Sequence, residues 1–190
     1  MSEKMPGKPV PSVVADAQPL RLRDRMHWVN PCIASVALIV AAGVFFLGSF
    51  QIGNLVSVEL ASQQVFFPPS GNAVYRDPVV GKVLRPVAGE QVTSAALAKL
   101  YGQEYLGYLM EHVANGKPYA AVAAEVSQNP GNARYELEAN TLFRYLTLQS
   151  LLLEAYAFAS VALMFEIGSV LLFITGVIVA AFTVRSYLQG

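Results

Sequence analysis

Binding a metal, moving a proton or attacking a carbonyl calls for a short list of side chains, and this chain of 190 residues has few of them. It carries two histidines, His27 and His112, and one cysteine, Cys32. Histidine is the commonest metal ligand and the group that titrates nearest neutral pH. Metal and redox sites gather such residues at fixed spacings, as in CxxC or HExxH, and neither pattern occurs here. Nucleophile motifs, phosphate loops and dinucleotide fingerprints are absent as well, and Asn129-Pro130-Gly131 is a turn with no following lysine. The sequence therefore predicts no catalytic residues, no metal site and no cofactor.

Two features with chemical potential remain. Tyr101, Tyr105, Tyr108 and His112 recur at i, i+4, i+7 and i+11, which lines them up on one helix face. Such a face is either an aromatic groove for a partner or apolar ligand, or a packing surface whose hydroxyls reach water at the rim. Glu166 is the only charge in the apolar run from Ala155 to Val184. A carboxylate deep in hydrocarbon costs a few kcal/mol and faces protein. It is either a polar contact to another transmembrane helix or an interfacial group in contact with water.

The elements that must position these residues are set by composition. Apolar residues make up 54% and charged residues 14%, well under the share of about a quarter typical of soluble domains. Net charge is zero, so nothing favours nucleic-acid binding. From Trp28 to Val58 there is no Asp, Glu, Lys or Arg. The dense part, Cys32 to Phe50, can cross about 30 Å of hydrocarbon as a helix, and Pro31 suits its first turn. Counting back about 20 residues from Val184 puts Glu166 near the outer edge of the second span. The basic region before the first span and the length of its apolar run fit a signal anchor rather than a cleaved signal peptide. The apolar run follows Cys32 instead of preceding it, the reverse of a lipid-attachment cysteine. Arg21, Arg23 and Arg25 precede the first span and Arg185 follows the second, while the flanks on the loop side hold almost no Lys or Arg. Both termini are then cytoplasmic and the loop extracytoplasmic. Gly43, Gly48, Gly168 and Gly176 permit close helix approach, but no GxxxG occurs.

Within the loop, the first helix is expected to continue through SVELASQQVFF, with Leu55, Val58 and Ala61 on one side, until Pro68-Pro69-Ser70-Gly71. Asn72 to Gly89 reads as irregular chain or a short hairpin. Thr93 or Ser94 caps a helix running to Gly116. A short helix from Pro118 to Gln128 follows, and a last helix from Asn132 runs into the second span. Leu142, Leu146 and Leu153 keep its apolar stripe going outside the membrane. The expected fold is an all-α membrane protein, two transmembrane helices with a small helical extracytoplasmic domain in the loop between them. Its parts are a flexible cytoplasmic tail over 1–27, a first span over 28–53, the outer domain over 54–154, a second span over 155–185 and a cytoplasmic end over 186–190. This topology puts His27 and His112 on opposite sides of the bilayer, so they cannot share a site.

VFFPPSGN, NGKPYAAV and TLFRYLTLQSLLLEAYAF carry a resemblance. In these stretches, and above all at Phe66-Phe67-Pro68-Pro69, Gly116-Lys117-x-Tyr119 and Leu142-Phe143-Arg144, the chain resembles a family of uncharacterised two-span membrane proteins from actinobacteria. The resemblance covers residues 28–185 and implies an architecture without an activity. Some relatives bear a ring-opening dioxygenase label, which the residues here oppose. Iron oxygenases need a set such as two His and one carboxylate, and the two histidines cannot meet.

The reading that follows is a non-enzymatic integral protein of the plasma membrane. Its partners are the lipid bilayer and another membrane protein or a second copy of itself. Its outer domain makes it an accessory or structural subunit of an envelope or respiratory assembly. The alternative is a ligand-sensing protein that signals through a separate cytoplasmic partner, since only about five residues follow the second span. An enzyme using Glu166 or the outer carboxylates is the third and weakest reading.

Overall fold

A computed structural model describes the backbone of residues 19–189 and the side chains of residues 29–189. The described chain is helical. It has no strand among these residues and a single antiparallel bridge, Phe66 with Gln91. Its helices are α1 (Pro19–Ser62), α2 (Val80–Leu84), α3 (Ala95–Leu100), α4 (Leu106–Val113), α5 (Tyr119–Gln128) and α6 (Ala133–Gln189). α1 and α6 are each long and apolar enough to cross a membrane. Only 17% of the residues in each apolar window are buried, which separates these helices from the core helices of soluble proteins. α1 is described from Pro19 on. Pro31 therefore lies inside the helix, not in its first turn, and interrupts the hydrogen-bond ladder there. The tail expected before Pro19 lies outside the described residues.

The chain divides into two compact units, one holding the stretch up to Val44 with the stretch from Ser169 on, the other Phe45–Gly168. In the first unit, α1 and α6 approach closely at Gly176. A Cβ there would sit 2.9 Å from Ile39 Cγ1, and Ser35 Oγ donates to the Gly176 carbonyl at 3.0 Å. The other three glycines play no such part. Gly43 and Gly48 face open space, and a Cβ at Gly168 would make only ordinary contact with Phe45.

In the second unit α1 ends at Ser62, before the prolines. Gln64 takes a left-handed φ of 51°, and the Ala61 carbonyl at the helix end accepts both the Gln64 N–H at 3.3 Å and Gln91 Nε2 at 2.8 Å. The next residues extend. Val92 N–H donates to Val65 O and Phe67 N–H to Glu90 O. The side of α1 that faces the core is Val56 and Leu60, while Leu55 and Val58 point outward. Asn72 to Gly89 forms helical turns instead of a hairpin. Asn72 caps a 3-10 turn over Ala73–Arg76. The Asp77 carboxylate accepts the N–H groups of Val79 and Val80, each at 2.8 Å, starting α2. Ser94 caps α3 through the Leu97 N–H. The last turn before α5 is closed by Gly116 at φ 76°, which only glycine adopts without strain.

One core gathers Leu60, Phe67, Val74, Leu84, Val92, Tyr101, Leu106 and Leu152. A smaller one joins Ala114, Val122 and Leu142. Burial of such side chains supplies about 1.5–3 kcal/mol each.

Candidate functional site

The aromatic face lies on α3, a π-helical turn over Tyr101–Tyr105, and α4. A π turn widens the helix by one residue and leaves a backbone carbonyl without its usual partner. Within this turn Gly102 O accepts Gln149 Nε2 of α6 at 2.8 Å. The widened turn seats Tyr101 in the core at 9% exposure. Its ring meets Phe67 edge-on at 5.1 Å and Tyr105 at 4.9 Å. Burial, with smaller contributions from Tyr105 and Tyr145, pushes the Tyr101 phenol up to about 12. Tyr105 is also raised, first by burial and then by Tyr145 and Tyr75.

Tyr105 and Tyr108 are half-buried against the same core, and His112 is exposed. The His112 ring tilts over Tyr108 with centroids 4.0 Å apart. Its Nδ1 lies 2.8 Å from the Tyr108 carbonyl. A carbonyl only accepts, so Nδ1 carries a proton in this contact. The four rings meet in two pairs, Tyr101 with Tyr105 and Tyr108 with His112, graded from core at Tyr101 to surface at His112. No group of three His, Cys, Asp or Glu close enough to hold a metal occurs among the described residues. The His27 side chain lies outside them.

Glu166 is exposed on α6. It borders a groove of about 420 Å³ shared with Phe46, Ser49, Phe50, Gly53, Asn54 and Ser57 of α1. Ser49, Gly53 and Ser57 stand at i, i+4 and i+8, the spacing of a helix face. That polar strip opposite Glu166 was not singled out from the sequence, although its periodicity is visible there. Ser49 and Ser57 each donate to a carbonyl three residues back, so neither hydroxyl proton is left over for the groove.

Comparison with protein families, with curated proteins and with solved structures returns no match to this chain.

Proposed function

We propose that this chain is a two-pass protein of the plasma membrane with both ends in the cytoplasm. In this reading α1 and α6 supply the spans, over 28–53 and 155–185. The stretch 54–154 is an outer helical domain that contacts another membrane protein, as an accessory subunit without enzymatic activity of its own. The likeness to the actinobacterial two-span family belongs to this proposal. One observation carries the partner. In the segment between the spans, α6 leaves Leu137, Phe143 and Leu151 open at 68%, 56% and 52%, although the cores beside them are filled. Phe143 also meets the Tyr119 ring, with centroids 6.1 Å apart, and the apolar surface left open on this stretch of α6 supports a contact surface for a partner.

Gentle detergent extraction followed by identification of copurified proteins tests the proposal. A discrete complex is expected, and Leu137→Glu with Phe143→Glu should release the partner while thermal stability holds. A lone monomer that binds small molecules would favour the sensor reading instead.

A further inference from the structure

The turns between Ser70 and Ala88 enclose a cleft of about 460 Å³ beside Tyr75. Its polar walls are Arg76, Arg85, Ser70 and Asn72, and no acidic side chain lines it. The ion pairs among the described residues, Lys117–Glu125 and Arg134–Glu138, involve neither arginine. The nearest carboxylate in sequence, Asp77, is engaged by the N–H groups of Val79 and Val80.

Arg85 is held from the side. Its Nε and Nη2 both donate to the Tyr75 carbonyl, at 3.2 and 2.7 Å. That leaves the end-on fork of the guanidinium, both Nη1 protons and one on Nη2, oriented and unused. A fixed fork of this kind matches the spacing of two oxygens on one anion. Asn72 Oδ1 already accepts the Val74 N–H, and its NH2 group supplies two donors. The Ser70 hydroxyl adds another. Donors thus surround the cleft on several sides, and the number of acceptors they ask for suits a tetrahedral anion better than a carboxylate. The volume exceeds that of one ion and leaves room for an organic group.

We propose that this cleft binds a phosphate group, with Arg85 as the bidentate anchor and Arg76 as the second cation. The source is either a soluble phosphate ester or the phosphate of a lipid headgroup. The inference does not depend on the partner surface of α6.

The test uses the full chain in non-ionic detergent. Inorganic phosphate is titrated at constant ionic strength while the thermal midpoint is read, and native mass spectrometry of the extracted protein reports retained anionic phospholipid. A soluble source predicts a saturable rise in the midpoint. Its apparent affinity should fall about tenfold or more in Arg76→Gln and in Arg85→Gln, the size of a lost charge-assisted hydrogen bond. A lipid source predicts no rise with inorganic phosphate but a bound phospholipid that both variants lose. Arg76 is exposed, so Arg76→Gln decides the matter even if Arg85→Gln loses stability. Neither a midpoint shift nor a retained lipid, or either one unchanged in Arg76→Gln, overturns the proposal.

Discussion

Tyr101 shows how far side-chain spacing carries. Periodicity put four aromatic rings on one face, and the structure pairs them as Tyr101 with Tyr105 and Tyr108 with His112. Which ring sits deepest depends on Phe67, thirty-four positions away, and on a π turn, and neither leaves a local mark. The deepest ring is Tyr101, with Tyr105 and Tyr108 half-buried, so the large effect belongs to Tyr101. Tyr101→Ala should cost about 3 kcal/mol or more, the range for emptying a buried aromatic site. Tyr105→Ala should cost clearly less, and chemical denaturation of both variants checks the order. The phenol adds a pH dependence. Its folded pKa of about 12 lies above the ordinary 10.0, so the unfolded chain ionises first. The stability it contributes is whole below pH 10 and is lost as pH rises towards 12. Tyr101→Phe should flatten that part of the stability profile. The Ser49 and Ser57 hydroxyls lining the groove with Glu166 have their protons engaged and offer only acceptors, which a glutamine amide can meet and a carboxylate cannot. Glu166→Gln should leave monomer stability within about 1 kcal/mol. A loss of copurified partner in that variant would establish an intramembrane contact.

At the scale of elements, the long helices were legible because their pattern is strong and local. Ser94, Gly116 and Asn129-Pro130-Gly131 marked boundaries by chemistry that works within four residues. The Asn72 to Gly89 segment was not legible. Its turns are fixed by contacts between parts, with Arg85 reaching the Tyr75 carbonyl and Gly89 N–H reaching Pro68. Gly81 is the tightest of these contacts. A Cβ at that position would stand 2.6 Å from the Tyr75 carbonyl oxygen, and that atom is backbone, so it cannot swing away. Gly81→Ala should destabilise the Phe45–Gly168 unit by about 1–3 kcal/mol, as overpacking does. Hydrogen exchange should show lost protection first at Val92 and Phe67, whose N–H groups tie the segment to the end of α1. The phosphate cleft shares these turns, so its affinity should fall in the same variant.

At the scale of the whole molecule, the open question is which way two apolar helices are threaded. A single long apolar helix near the start of a chain could belong to a signal sequence, but α6 cannot, and both helices leave most of their apolar residues uncovered. The sign of the flanks then sets direction. Arg21, Arg23, Arg25 and Arg185 lie at the ends of α1 and α6 that the proposal puts in the cytoplasm, and basic flanks resist translocation. Ser70 and Asn129 sit in exposed turns of the other unit, where an introduced thiol can be reached without unfolding. In a Cys32→Ser background, a membrane-impermeant maleimide added to intact cells should label Ser70→Cys and Asn129→Cys and spare Ser2→Cys. Lysed cells should label all three, which shows that the protected thiol is reactive once exposed. Labelling of Ser2→Cys from outside would invert the topology, and it would also move the Leu137–Phe143 surface and the arginine cleft to the cytoplasm. Equal labelling of all three in intact cells would separate α1 and α6 from the bilayer altogether, leaving their uncovered apolar faces to be buried against another protein.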